Sequence, residues 1–188
     1  MKSYILFLAF LGTSYISFSQ EKASTLDFKV GVGLGHWINS NLNMFRFENE
    51  FTKKWNRSLS SSLSVNFASG GNTYLQTLTL LNGNINCFLS PFGNQKKNNF
   101  KIGAGMSFIH IRETVVTDFD NLFPPYYDNP RQLYEVNKRQ LASYNLVIDD
   151  EIVLGDKYLI GVRLMMQPYR VQAGDTFWGL LFKCGIKL

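Results

Sequence analysis

Apolar and polar residues alternate along most of this chain. From Thr176 to Leu188 the even positions are Thr176, Trp178, Leu180, Phe182, Cys184, Ile186 and Leu188, nearly all apolar. The odd positions, Phe177, Gly179, Leu181, Lys183, Gly185 and Lys187, mix small, charged and apolar groups. A period of two marks a strand between two unlike environments. Globular strands run about 5–6 residues, whereas a tilted strand crossing a bilayer needs about 9–11.

Seven earlier segments share the pattern. Asp27 to Trp37 sets Phe28, Val30, Val32 and Leu34 against Lys29, Gly31, Gly33 and Gly35. Met44 to Lys53 sets Phe45, Phe47 and Phe51 against Arg46, Glu48 and Glu50. In Ser58 to Phe67, Leu59, Leu63, Val65 and Phe67 oppose Ser60, Ser62, Ser64 and Asn66. Tyr74 to Phe88, Phe100 to Thr114, Leu141 to Val153 and Tyr158 to Tyr169 follow. The fourth segment opens on QTLTLL with reversed parity, which predicts a bulge near Leu80. The fifth loses its parity beyond His110.

Eight long two-faced strands predict an all-β fold, an eight-stranded antiparallel up-and-down transmembrane β-barrel, the smallest size usual for this architecture. Connections after the second, fourth and sixth strands read as compact. The one after the fifth, Val115 to Gln140, is long and irregular, with Pro124, Pro125 and Pro130. Short turns on one side and long loops on the other put both ends of the chain in the periplasm. Trp55 then lies at the inner rim and Trp178 near the outer one, while Trp37, inward by parity, reads as a plug. No repeat, linker or second domain is expected, and nothing beyond Leu188 to bind peptidoglycan.

At the N-terminus Lys2 precedes an apolar run, Tyr4 to Leu11, too short to span a bilayer as a helix. Ser17 and Ser19 stand at the −3 and −1 positions of a cleavage before Gln20. Residues 1–19 therefore read as a secretory signal peptide and 20–188 as the barrel domain. No later stretch approaches the ~18 apolar residues of a membrane helix, and mean hydropathy is near neutral. A barrel evades both tests, because only alternate residues face lipid. Phe is abundant, 16 of 188 residues, as aromatic girdles require. The formal charge of +5, or +4 without Lys2, is too small and dispersed for nucleic acid. Cys87 and Cys184 fall on the apolar parity of separate strands, where they read as small lipid-facing hydrophobes rather than a disulfide.

Inward parity collects Lys29, Arg46, Glu48, Glu50, Lys101, Asp149, Glu151, Arg163 and Lys183. A turn at Gly155-Asp156-Lys157 would set Arg163 opposite Asp149. Opposite charges in a narrow lumen should pair, and eight strands leave an interior just wide enough for side chains to fill. The expected result is a salt-bridged core without an open pore. Asp150, outward by parity, needs a bulge or a place near the head groups. The glycines at 31, 33 and 35 and at 103 and 105 lack the helix of a nucleotide loop; they make room for bulky lumen residues. His36 and His110, without Cys or carboxylate at ligand spacing, do not make a zinc site, and no cofactor is predicted. The segment TDFDNLFPPYYDNPRQLYEV concentrates Phe119, Phe123, Tyr126, Tyr127, Arg131 and Tyr134. Aromatics among polar groups suit a binding surface for an extracellular ligand or protein, and equally suit packing on one another to close the mouth.

The leader, the alternating strands, the uneven loops and the terminal strand together resemble the small outer-membrane β-barrel family of OmpA/OmpX type, over nearly all the mature chain. The resemblance implies a location in the cell outer membrane, outer-membrane lipid as surroundings, and the barrel-assembly machinery as a partner during biogenesis. Family members usually end in an aromatic residue, where this chain has Leu188. It also implies a structural, adhesion or surface-interaction role without catalysis. Three alternatives stand beside it. A narrow solute channel needs an open lumen. A lipid A-modifying enzyme of similar size needs a serine beside His110, where Ile111 and Arg112 follow instead and Ser107 has the opposite parity. A soluble lipocalin-like carrier needs an apolar interior, the reverse of Ser60, Ser62, Ser64 and Asn82, Asn84, Asn86 facing in.

Overall fold

The computed structural model describes residues 26–38, 41–71, 76–93, 97–116, 134–168 and 176–188. The predicted leader, 1–19, lies outside the described residues. The strands are β1 (Leu26–Trp37), β2 (Leu42–Lys54), β3 (Leu59–Gly71), β4 (Thr77–Leu89), β5 (Asn98–Val116), β6 (Tyr134–Leu154), β7 (Tyr158–Pro168) and β8 (Thr176–Lys187). Each pairs antiparallel with the next, and β8 returns to β1 to close a barrel. The Leu188 N–H donates to the Leu26 carbonyl at 2.7 Å beside that seam. Closure pairs every strand on both sides through the body of the barrel, the condition for a sheet in hydrocarbon.

Alternation in sequence becomes two walls. Inward residues are buried and outward ones exposed, with Leu34 67%, Phe182 61% and Phe108 60% exposed. On β5 the outward run Phe100, Ile102, Ala104, Met106 and Phe108 spans the ~9 residues that a tilted crossing needs. A continuous apolar band of this kind is tolerated only against lipid or a partner. The end carrying Leu26, Leu188 and connections 55–58, 90–97 and 155–157 is the terminal end; the opposite end is the loop end. Gly155, with φ of 61°, takes the left-handed turn position between β6 and β7.

No bulge forms near Leu80. β4 keeps unbroken register with β3 and β5, pairing Leu80 with Ala68 and Ile111. Leu78 and Leu80 point inward and are buried, as are Ile109 and Ile111 on either side of His110, where β5 has its apparent break. Parity never changes; the lumen becomes apolar at the loop end.

The long connection is also shorter than 115–140. β5 runs to Val116 and β6 begins at Tyr134, leaving 117–133. β7 pairs with β6 only from Leu146 onward, and β4 leaves β5 at Thr114. Before Leu146, β6 therefore pairs only with β5, which up to Thr114 is still held by β4 on its other side, so this part of β6 is the edge of the sheet. Glu135, Lys138, Arg139 and Gln140 on this edge are exposed, so little selects apolar residues at alternate positions, and with Asn137 they read as loop. Phe119, Phe123, Tyr126, Tyr127 and Arg131 lie outside the described residues, while Tyr134 opens β6. The contrast in loop length is weaker than the sequence suggests, since 38–41 is as short as 55–58. Asp150 faces outward without a bulge, opposite Phe100 and Val162 and close to the Gly155 turn, where head groups would lie.

Candidate functional site

The lumen is the site this fold builds, and three layers fill it. The ionic layer lies toward the terminal end. Strand register places Asp149 beside Arg163 and Lys101, and Lys29 beside Glu50. Asp149 Oδ2 accepts from Arg163 at 2.7 Å and from Lys183 at 2.5 Å. Glu151 takes Lys101 at 2.5 Å, Lys29 at 2.6 Å and Lys183 at 3.0 Å. Lys29 reaches Glu50 at 3.3 Å, and Arg163 also holds both Glu48 and Glu50. Arg46 meets Glu48 at 2.8 Å and donates through Nε to Asn66 at 2.9 Å. All nine inward charges named from the sequence thus fall in one connected, buried cluster. Buried charge is costly unless paired and hydrogen-bonded, and five cations here face four carboxylates.

Glycines make this crowding feasible. Gly31 and Gly161 flank Lys183 in register, and a Cβ on Gly31 would lie 3.2 Å from its stem. A Cβ on Gly103 would strike the Phe88 ring, and one on Gly35 the Phe177 ring. Phe88 in turn lies under Lys101 and Arg163, 5.7 and 5.5 Å from its centroid. Sequence reading missed the Asp27–Lys54 pair at 2.9 Å and Thr52, which donates to Glu50 and accepts from Lys29 at 3.0 Å. The signal was present: Asp27 shares the parity of Lys29, and Thr52 and Lys54 that of Arg46. Carboxylate oxygens of Glu50, Asp149 and Glu151 come within 4.8 Å of one another, as a metal site would need. The ammonium groups of Lys29 and Lys183 and the Arg163 guanidinium already occupy that focus.

A second layer consists of amides and hydroxyls on β3 to β6. Ser107 donates to Asn84 at 2.6 Å and accepts from Asn145 at 2.7 Å, while Asn84 donates to Ser64 at 3.2 Å. The third layer is apolar and lies toward the loop end: Trp37, Leu42, Met44, Leu78, Leu80 and Phe177 belong to one buried cluster. Trp37 therefore sits in the plug that its inward parity suggested.

The remaining candidates are not brought together. His110 points outward while Ser107 points into the lumen, so β5 itself separates them. His36 shares a 2.9 Å hydrogen bond with Asn43 through Nδ1. Cys87 and Cys184 are exposed on β4 and β8.

No protein-family profile matches this sequence, and no curated protein matches it either. The likeness lies in shape. A major outer membrane protein of Thermus thermophilus superposes with a TM-score of 0.65 at 10% identity, over 89% of this chain and 100% of that one. Ail, the attachment invasion locus protein of Yersinia pestis, gives 0.57 at 8% identity, over 89% and 100%. The outer membrane enzyme PagL gives 0.50 at 12% identity, over 85% and 98%. The fold is that of the small eight-stranded outer-membrane β-barrels of OmpA/OmpX type. Since one neighbour is an enzyme and another an attachment protein, the fold alone assigns no task.

Proposed function

We propose that this chain is an integral outer-membrane β-barrel protein with a closed lumen, acting structurally or through surface contacts rather than by conducting solute. The observation that carries this reading is the cross-barrel ion network, in which Arg163 of β7 grips Glu48 and Glu50 of β2. Side chains from strands three apart around the barrel meet across the lumen, which supports a layer closed to water. The apolar outward wall supports membrane residence, and the shared fold of outer-membrane neighbours supports the compartment. On this reading the terminal end faces the periplasm and the loop end faces outward. Connections 117–133 and 169–175 are then the parts open to adhesion or binding, with Phe119, Phe123, Tyr126, Tyr127 and Arg131, and Tyr134 at the start of β6, as the candidate contact residues.

Planar-bilayer recording of the refolded protein tests the closed lumen. We expect a flat baseline from preparations whose gel mobility shifts on boiling, the mark of a folded membrane barrel. Resolved single-channel steps from such a preparation would overturn the closed-lumen reading. A protein recovered from the soluble periplasm, with no mobility shift, would overturn the membrane reading itself.

A further inference from the structure

At its loop-end border the lipid-facing wall departs from a smooth apolar band. Along the loop-end border, hydrogen-bonded register aligns Ser69, Thr79, Arg112 and Lys138 across β3 to β6, all on the outward face. Arg112 and Lys138 stand directly opposite each other. Like charges in that relation repel, and no ion pair to either is found among the described residues. The nearby acidic residues of β5 and β6, Glu113 and Glu135, have the opposite parity. Glu113 is engaged there by Gln76 at 2.5 Å and Arg139 at 4.0 Å. Two cations and two hydroxyls thus face outward together with no carboxylate among them.

Immediately below lies a groove of about 490 Å³, walled by Val65, Leu81 and Phe108 and roofed by His110 and Gln140. Gly83 leaves its floor open: a Cβ there would meet nothing within 4 Å. The arrangement is a row of donors above an apolar slot on a surface that meets lipid.

We infer that this site holds one phosphorylated glycolipid of the outer leaflet, its phosphate on Arg112 and Lys138 and an acyl chain in the groove over Gly83. An anion there relieves the repulsion between the two cations and gains charge-assisted hydrogen bonds. The acyl chain fills a gap in the wall that bulk lipid, in continuous exchange, covers less completely. The inference rests on the proposed orientation, which puts the loop end in the outer leaflet.

The test uses the mature chain in phosphatidylcholine nanodiscs containing a minor fraction of lipid A, with lipid retained on the purified particle quantified by mass spectrometry. Retention above the bulk lipid A fraction is expected. The double variant Arg112→Glu with Lys138→Glu should reduce that enrichment by roughly tenfold or more, from the membrane-surface contribution of two basic side chains. Gly83→Leu should reduce it without altering charge. Lipid A stripped of its phosphates should not be enriched, and phosphatidylglycerol should compete poorly. Equal retention by wild type and the charge-reversed variant would overturn the inference, and equal competition by phosphatidylglycerol would overturn the glycolipid assignment. All variants alter outward-facing positions, and each preparation is checked for its heat-shifted mobility. Absence of that shift in the wild type would count against the barrel reading; a shift without enrichment would count against this site alone.

Discussion

Arg163 shows how one residue depends on its surroundings here. Its guanidinium meets Glu48, Glu50 and Asp149, carboxylates from two different strands, β2 and β6. Removing it would leave three buried carboxylates short of a partner, which costs far more than the intact pairs contribute. We expect Arg163→Ala to lower unfolding stability by about 3–5 kcal/mol, the range for breaking a buried charge network from one side. Arg163→Lys should lose less, because it keeps the charge while giving up the planar fork that reaches several oxygens at once. Urea titration in phosphatidylcholine vesicles, followed by the heat-shifted gel band, measures both. A loss in Arg163→Ala no larger than that of an exposed substitution would mean the network is not the brace proposed. This residue's direct partner was readable from sequence, because a three-residue turn fixes Asp149 opposite Arg163. Its bonds to Glu48 and Glu50 were not, since β2 and β7 are not neighbours in the sheet and meet only across the lumen.

At the scale of the strand, one alternating pattern serves opposite walls at different depths. The middle of β8 presents Phe182 to the apolar band, between Val32 and Val162 in register, while Ser69 on β3 stands on the polar border. The two positions should therefore respond differently to the same charge. Phe182→Arg should cost about 2–4 kcal/mol and Ser69→Arg only about 0–1, the depth dependence of a cation on a lipid-facing wall. Refolding equilibria into vesicles of fixed thickness measure the pair, and equal costs would contradict the placement of the band. The places where strand reading failed have the same physical origin. Alternation reports a contrast between two environments, and it disappears where the contrast does. In β4 and β5, Leu78, Leu80, Ile109 and Ile111 enter an apolar layer of the lumen while their neighbours face lipid, so both faces look greasy. Along the edge of β6 from Glu135 to Gln140, most residues on both faces are exposed and polar, so no alternation shows. Register was continuous through each stretch, and only the residue chemistry concealed it.

For the molecule as a whole, the proposed closure of the lumen has two unrelated parts. The ionic layer toward the terminal end is held by directional pairs that cross the barrel. The apolar layer at the loop end is held by packing, with Trp37 and Phe177 paired between β1 and β8. Because the amide layer between them braces mainly β3 to β6, each outer layer should obstruct ions without help from the other. Trp37→Ala with Phe177→Ala opens the loop end but leaves the ion pairs in place, so the bilayer baseline should stay flat. Arg163→Ala with Lys183→Ala thins the ionic layer, yet the apolar plug remains and excludes hydrated ions. Only the fourfold variant should show conductance, with cation preference, because it loses two lumen cations while Glu48, Glu50, Asp149 and Glu151 stay. The mobility shift on boiling certifies that each variant is a folded barrel. Steps from the Trp37→Ala, Phe177→Ala variant alone would show that the ionic layer is permeable and that the barrel is held shut only by its apolar end.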